Sequence, residues 1–170
     1  MDHVAVAAMG ADRPGIVARV AAALEDAGLG IEDSSMTNLR GTFAMLLVVA
    51  GARPDQVEAT LAPVAAELGL VLEVGPAPED AGPGGGEYVV AAYGPDRTGL
   101  VAALSAVMAD LGVSIDDFGS RLGASEVFAM WFNVVVPDAV SQRELEAALA
   151  RAGEPLGLSV SVHRAEAVEA

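Results

Sequence analysis

Hydrophobic and polar positions change period along the chain, and the changes mark its secondary-structure elements. A short apolar run at 4–9 is typical of a strand, and apolar residues then recur at helical spacing over 16–27. Partly alternating residues at 31–38 and a nearly continuous, β-branched run at 42–50 predict two further strands.

A second helix and a last strand complete this pattern. Helical spacing recurs over 57–68, and a short apolar strand follows at 70–74. The order β-α-β-β-α-β predicts an α+β, ferredoxin-like unit, with two helices on one face of a four-stranded antiparallel sheet. Right-handed crossovers place the first strand in the middle of the sheet, beside the third. Because the third strand is apolar on both faces, we expect an apolar outer sheet face that a partner unit covers.

The whole pattern occurs twice, because the chain contains an internal duplication. The sequence GADRPGIV at 10–17 matches GPDRTGLV at 94–101, which lies 84 residues further on. The sequence FAM at 43–45 recurs at 128–130, which lies 85 residues further on. Two motifs in the same order at nearly the same spacing predict two homologous ferredoxin-like units, the second with one inserted residue.

A segment rich in Gly and Pro separates the two units. It covers 75–87, has no large apolar residue and is typical of a linker. We therefore expect one domain at 1–74 and a second at 88–170.

Composition excludes several classes of protein. The chain has 24 acidic residues against nine basic ones and a net charge of −15, which disfavours generic binding to nucleic acids or anionic membrane surfaces. The absence of Cys excludes thiolate nucleophiles and zinc–thiolate sites. The two histidines, His3 and His163, lie at opposite ends of the chain and are better explained as strand-end residues than as a metal pair.

Apolar run length and the N-terminal sequence bear on localisation. The longest apolar run, at 43–50, is far shorter than the roughly 20 residues of a membrane-spanning helix. The N-terminal sequence lacks the basic region of a secretory signal. We therefore expect a cytoplasmic protein that contacts no membrane.

The Gly-x-Asp-Arg-x-Gly turn after the first strand of each unit is the strongest candidate for a binding site. The amides at a helix start, together with the helix dipole, favour a carboxylate. Asp12 and Asp96 suit an ammonium group, so a free amino acid matches both features. The same residues also suit a purely structural turn, with Asp12 as a cap and the glycines in a tight connection. Pro14 suits a first helical position. The motif matches neither a dinucleotide-binding glycine pattern nor, without Lys, a Walker loop.

The sequence Asp-Arg-Pro-Gly-Ile-Val at 12–17, after a first strand, resembles that of the ACT domain family. The tandem pair, with GTFAMLLVV at 41–49, resembles the glycine cleavage system transcriptional repressor group. The resemblance implies binding of an amino acid or similar small molecule where the turn of one domain faces the start of the second strand of its neighbour. The ligand-binding residues that it implies are Gly10, Asp12, Arg13, Gly15, Ile31, Asp33, Ser35 and Asn38 in the first unit, and Gly94, Asp96, Arg97, Thr98, Gly99, Ile115 and Asp117 in the second.

The two candidate sites differ chemically. Ser34-Ser35 corresponds to Phe118-Gly119, and Thr37-Asn38 corresponds to Arg121-Leu122. The first unit has more small hydrogen-bonding groups, so we expect weak, saturable amino-acid binding at its turn.

We interpret the chain as a non-enzymatic regulatory protein. The sequence shows no nucleophile–base pair and no cofactor motif, and the acidic pair Asp116-Asp117, aligned with Glu32-Asp33, is better explained as a solvated turn than as catalytic carboxylates. We expect a homodimer that binds an amino acid or similar molecule and signals to a protein partner, without a cofactor, a metal or direct contact to nucleic acid. The alternative is an interaction module of the same fold that binds no ligand.

Overall fold

The structure, a computed structural model, describes residues 3–78, 84–123 and 126–165 and divides into two compact units, at 1–80 and 81–170. The elements of the first unit are β1 (His3–Ala11), α1 (Ile16–Asp26), β2 (Gly30–Leu39), β3 (Thr42–Ala50), α2 (Pro54–Leu68) and β4 (Val71–Pro76). The elements of the second unit are β5 (Gly85–Pro95), α3 (Leu100–Asp110), β6 (Ser114–Leu122), β7 (Val127–Pro137), α4 (Gln142–Gly153), a 3₁₀ turn (Glu154–Leu156) and β8 (Ser159–Arg164).

Each unit contains one four-stranded antiparallel sheet and two helices. The strand orders are β2-β3-β1-β4 and β6-β7-β5-β8, so the first strand of each unit lies in the middle of its sheet, beside the third. This is the order that right-handed crossovers require. The predicted α+β fold of two ferredoxin-like units is confirmed.

The core of each unit lies between the sheet and its helices. In the first unit, Val4 and Val6 of β1, Phe43 and Leu47 of β3, and Leu24 of α1 are buried together. The corresponding core of the second unit includes Val90, Leu100, Leu104, Met108 and Phe132. Alternate residues of the central strands thus face the helices, as the sequence periods indicate.

The start of α1 differs from the sequence expectation. Helix α1 begins at Ile16 with Gly15 as its N-cap, so Pro14 lies in the turn before the helix and not at its first position. The reason is that Gly15 adopts a left-handed conformation, with φ of 93°, which is not that of an α-helix and therefore separates Pro14 from the helix. Gly99 has the same φ of 93° after Thr98, so the turn does not depend on proline.

Strands extend into the predicted linker from both ends. Strand β4 continues to Pro76 and β5 begins at Gly85, where Gly85 pairs with Pro137 in the sheet. Glycine has no side chain, yet it can join a sheet through its main chain. A Gly-rich composition therefore predicts a linker even where residues are part of a strand. Residues 79–83 of the predicted linker and 166–170 of the predicted second domain lie outside the described residues. The division into 1–74, 75–87 and 88–170 stays a prediction.

The sheet face opposite the helices is apolar and exposed in both units. Leu46 of β3 is 62% exposed and Met9 of β1 is 52% exposed. Their equivalents in the second unit, Trp131 and Tyr93, are 41% and 56% exposed. We call these surfaces the outer faces; they follow from a third strand that is apolar on both sides.

Among the described residues, no helix is both long enough and apolar enough to cross a membrane.

Candidate functional site

The turn that leads into the first helix has the same geometry in both units. Gly15 and Gly99 are the helix N-caps, and neither helix is capped by a side chain. Within the described part of the chain, the amides of 16–18 and of 100–102 donate to no protein acceptor. Unsatisfied amides at the positive end of a helix dipole favour an anion. Each turn therefore offers donors suited to a carboxylate.

Gly15 and Gly99 are explained by backbone conformation. A Cβ atom added at either position would meet no other atom within 4 Å, yet both residues have φ of 93°. Side chains other than hydrogen disfavour this left-handed conformation.

Gly10 and Gly94 are explained by close packing. A Cβ atom at Gly10 would lie 2.7 Å from Leu70 Cδ2, and one at Gly94 would lie 2.6 Å from the carbonyl oxygen of Gly157. Each glycine thus lets the end of the first strand approach the segment that precedes the last strand. Their place in the fold does not require a ligand.

In the first unit, a side chain of the same unit forms a hydrogen bond with the aspartate of the turn. Asn38 Nδ2 donates to Asp12 Oδ2 at 2.6 Å, and Asn38 Oδ1 accepts from the Gly41 amide at 3.2 Å. The Asp12 amide also donates to the Gly41 carbonyl oxygen at 2.9 Å. Asp12 therefore joins the turn to the hairpin between β2 and β3, which is the structural role open to it in the sequence.

The aspartate of the second turn has different surroundings. The Asp96 amide donates to the Glu126 carbonyl oxygen at 3.3 Å, which preserves the main-chain link to the hairpin. Leu122, paired with Phe128, stands where Asn38, paired with Phe43, stands in the first unit. Among residues 84–123 and 126–165, no side chain donates a hydrogen bond to the Asp96 carboxylate.

An open cavity of about 620 Å³ lies beside Asp96. Its lining includes Tyr93, Gly94, Asp96, Leu122, Glu126 and Val127. The volume falls in the range that small-molecule sites occupy. Of the predicted site residues, Gly94 and Asp96 are the two that line it.

The predicted residues at the start of β2 lie at the opposite end of the sheet from the turn. Ile31 pairs with Val49 of β3, whereas Asn38 pairs with Phe43 beside the turn. Seven residues of extended strand separate Ile31 from Asn38, which is about 23 Å at roughly 3.3 Å per residue. A single unit therefore does not bring its turn together with its own Ile31 and Asp33.

The other predicted residues of the second strands also lie away from the turn of their own unit. Ser35 pairs with Leu46 in the middle of β2. Ile115 and Asp117 begin β6, at the end of the sheet remote from Asp96. A site that contains both predicted sets requires the turn of one unit and the second strand of another.

Both second strands carry a β-bulge at the same place. The register shifts between Ile31 and Asp33 in β2, which leaves Glu32 as the extra residue. It shifts between Ile115 and Asp117 in β6. A bulge re-aims the side chains next to it and commonly marks a functional edge. The repeated bulge presents acidic side chains at the start of each second strand.

The acidic groups at the two bulges have different neighbours. In the first unit, Glu32 Oε2 lies 2.9 Å from His3 Nε2, and both side chains are exposed. In the second unit, Asn133 Nδ2 donates to Asp117 Oδ2 at 3.4 Å. The polar residue that interrupts the apolar third strand therefore contacts a predicted site residue.

The remaining predicted residues lie on the surface of the turns. Arg13, Arg97 and Thr98 are all exposed. They flank the free helix amides and extend into solvent, where a ligand or a second unit can reach them.

Sequence reasoning missed the other five residues of the cavity lining: Tyr93, Pro95, Leu122, Glu126 and Val127. Glu126 has φ of 58°, and it stands where the first unit has Gly41 with φ of 81°. The inserted residue of the second unit lies in this hairpin, between Leu122 and Phe128. Aligning the two hairpins position by position would have pointed to Glu126, because it is an acidic residue in place of the turn glycine Gly41.

Taken together, the fold and its repeated turn define a tandem protein of two ferredoxin-like domains, each with an open helix start beside its sheet. The model of the ACT domain family matches residues 2–75 and 87–163. The chain belongs to the ACT domain family and carries two tandem copies of the domain.

Solved structures share the full architecture. An unknown protein from Galdieria sulphuraria is 28% identical, with a TM-score of 0.83, and the match covers 97% of this chain and 99% of that one. A protein provisionally named as a glycine cleavage system transcriptional repressor is 20% identical, with a TM-score of 0.79, and the match covers 97% and 98% of the two chains. At 20% identity, the similarity to this second structure shows only that the two proteins share a fold.

A curated relative matches a shorter segment. A UPF0237 protein from Methanopyrus kandleri is 47% identical over 49 residues, which are 29% of this chain and 54% of the relative. The chain thus matches about half the length of that protein.

Proposed function

We propose that this chain is a non-enzymatic regulatory protein that binds an amino acid, or a similar small molecule, at interfaces between ACT domains and signals to a protein partner. One observation carries the proposal: both units repeat a helix start with free amides behind a left-handed glycine. Such amides bind a carboxylate, the group that all free amino acids share. Membership of the ACT domain family supports the proposal.

The ammonium group of the ligand is received by a second unit. The bulges at the start of β2 and β6 present Asp33 and Asp117 at the sheet end remote from their own turns. Because about 23 Å separates these two ends of one unit, the carboxylate and ammonium partners come from two different units. The ligand then acts as a bridge whose binding changes how units associate, which is a direct route from binding to regulation.

A homodimer follows from the same reasoning. The exposed outer faces, with Leu46 and Trp131 near their centres, remove apolar surface from water when a second copy covers them. Association between copies also supplies the second strand that each turn needs. Regulation runs through a protein partner because a net charge of −15 repels a nucleic-acid backbone. The fold neighbour named for transcriptional repression makes gene regulation the first setting to test.

The exposed outer faces also favour a second candidate function. A ligand-free interaction module uses the same apolar surfaces to bind a protein, with the turns serving only the fold. The hydrogen bond between Asn38 and Asp12 favours the interaction module, because it gives the aspartate of the first turn a structural role.

Isothermal titration calorimetry with the standard amino acids separates the two functions. For a ligand of about ten heavy atoms we expect a binding free energy of about −5 to −7 kcal/mol, which corresponds to a Kd of roughly 200 to 7 µM. A double variant, Gly15→Ala with Gly99→Ala, should lose this heat while Gly30→Ala retains it. Absence of saturable heat with every amino acid at millimolar concentration contradicts the sensor function and leaves the interaction module.

A further inference from the structure

We propose that the side chains of Gln142 and Glu146 on α4 close the outer edge of β8 against strand addition by a second copy of the chain. Strand β8 is one edge of the second sheet and β6 is the other, so this contact leaves only the β6 edge open. We call the contact the edge lock. It acts whether or not the turns bind an amino acid.

The main-chain groups of Val162 point away from the sheet. The Ala165 amide donates to the Glu87 carbonyl oxygen at 2.9 Å, so every second residue of β8, counted back from Ala165, bonds to β5. In an antiparallel pair the residues between these turn their amide and carbonyl groups outward. Val162, which pairs with Val90, is one of them and lies near the middle of the strand. A strand added at this edge would bond to both groups of Val162.

Two side chains of α4 already occupy both of these groups. Gln142 Nε2 donates to the Val162 carbonyl oxygen at 2.8 Å, and the Val162 amide donates to Glu146 Oε1 at 3.4 Å. Residues four apart lie on the same face of a helix, so α4 presents the donor and the acceptor together. The two bonds take the place of those that a neighbouring strand would make. An incoming strand would therefore have to displace both side chains before it could pair.

The first unit protects the equivalent edge by a different means. Pro54 begins α2 where Gln142 begins α4, and a proline side chain has no hydrogen-bond donor. Pro76 stands in β4 where Arg164 stands in β8, because the two pair with equivalent residues of the first strands. A proline on an edge strand lacks the amide that a neighbouring strand needs. Each unit thus carries, at the same edge, a protective feature that the other unit lacks.

The opposite edges of the two sheets are longer and contain no proline. Strands β2 and β6 have ten and nine residues, whereas β4 and β8 have six each. The proposed function brings β2 and β6 to the turn of another unit. A sheet that accepts strands at both edges can form open-ended assemblies, whereas a single open edge allows a closed pair. The edge lock therefore favours a dimer over an open-ended assembly.

Amide hydrogen exchange on the ¹⁵N-labelled full chain tests whether the edge lock forms in solution. The Val160 amide faces the same edge and is the reference, because a serine precedes both valines and no described residue accepts a hydrogen bond from Val160 at this edge. We expect the Val162 amide to exchange about tenfold more slowly than the Val160 amide. Glu146→Ala should remove this difference. Glu146→Gln loses the same charge but keeps an acceptor oxygen, so it should preserve the difference.

Sedimentation velocity tests whether the edge lock limits assembly. The double variant Gln142→Ala with Glu146→Ala should form species larger than the unmodified protein, and their fraction should increase with protein concentration. Gln142→Ala and Glu146→Ala alone should have the same effect to a smaller extent. Because Gln142 is an exposed residue at the start of α4, its single variant keeps the test valid if the double variant fails to fold. Glu146→Gln should keep the mass of the unmodified protein.

Three results would overturn the edge lock. If Val162 exchanges as fast as Val160 in the unmodified protein, the two bonds do not hold in solution. If the alanine variants exchange faster at Val162 but keep the mass of the unmodified protein, the bonds do not limit assembly. If Glu146→Gln forms larger species to the same extent as Glu146→Ala, the lost charge and not the lost acceptor causes association.

Discussion

Asn38 donates a 2.6 Å hydrogen bond from its side-chain amide to the carboxylate of Asp12, a residue 26 positions earlier in the chain. The bond connects the end of β2 to the turn before α1, and the same amide group accepts from the Gly41 backbone. In the second unit Leu122 takes the place of Asn38, so the corresponding turn lacks this side-chain link. The two halves of the duplication thus keep one fold and differ at the turn before the first helix, which is the candidate site.

Removing this bond should weaken the first unit. Asn38→Leu copies the second unit and removes the charge-assisted hydrogen bond to Asp12 together with the bond from the Gly41 amide. On an exposed site this corresponds to a loss of about 1 kcal/mol in the free energy of unfolding. Urea denaturation measures the loss. Thr37→Ala, at the neighbouring exposed position, is the control. Equal stability of the two variants would show that the two hydrogen bonds of Asn38 contribute nothing.

Replacing Gly15 should cost stability whatever the size of the new side chain. Gly15→Ala forces a left-handed backbone on a residue with a Cβ atom, and we expect a loss of about 1–2 kcal/mol. Space is not limiting, since no atom lies within 4 Å of the added Cβ. Gly30 lies at an equally open position in β2 and has no positive φ, so Gly30→Ala should not reduce the free energy of unfolding by this amount. Thermal unfolding of the two variants side by side tests the argument, and equal melting temperatures contradict it.

The chain contains a single Trp, Trp131, which makes its fluorescence a local reporter of the outer face. A Cβ atom at Gly119 would overlap the six-membered ring of Trp131, so Gly119→Ala must displace the ring. Because Trp131 is 41% exposed, the ring has room to move. We expect a red-shifted emission with a melting temperature within a few degrees of the parent. An unchanged spectrum would mean that the ring does not cover Gly119.

Charges on the outer face should prevent association between copies. Light scattering of the unmodified protein should give twice the chain mass of 17.1 kDa. Leu46→Glu and Trp131→Glu each introduce a charge on a surface that the dimer buries, and each should yield a monomer. Ala59→Glu adds the same charge to the exposed side of α2 and should leave the dimer intact. A monomer of the unmodified protein at high micromolar concentration would contradict the proposed dimer.

Much of the fold follows from the sequence because local periods and the repeat agree. The strand and helix patterns of each unit predict the same order, and the motifs at 10–17 and 94–101 fix the correspondence between units. The order leaves one sheet topology that satisfies right-handed crossovers, and both sheets have it.

The details of the site depend on contacts that no local pattern contains. The partner of Asp12 is 26 residues away, and its effect appears only when β2 is placed beside the turn. The left-handed Gly15 displaces Pro14 from the helix, although proline suits a first helical position. The bulge beside Glu32 alters the register of a strand whose sequence merely alternates. Such features arise from tertiary pairing, so sequence periodicity does not encode them.

The central claim is that the repeated turn binds an amino acid with help from the second strand of another unit. A titration of the ¹⁵N-labelled protein with each standard amino acid, followed by amide chemical shifts, tests it most directly. We predict saturable shifts in the amides of 15–18 or 99–102, together with shifts at 31–33 or 115–117, for at least one amino acid. Shifts confined to the outer faces, or no saturable shift with any amino acid at millimolar concentration, would contradict the claim.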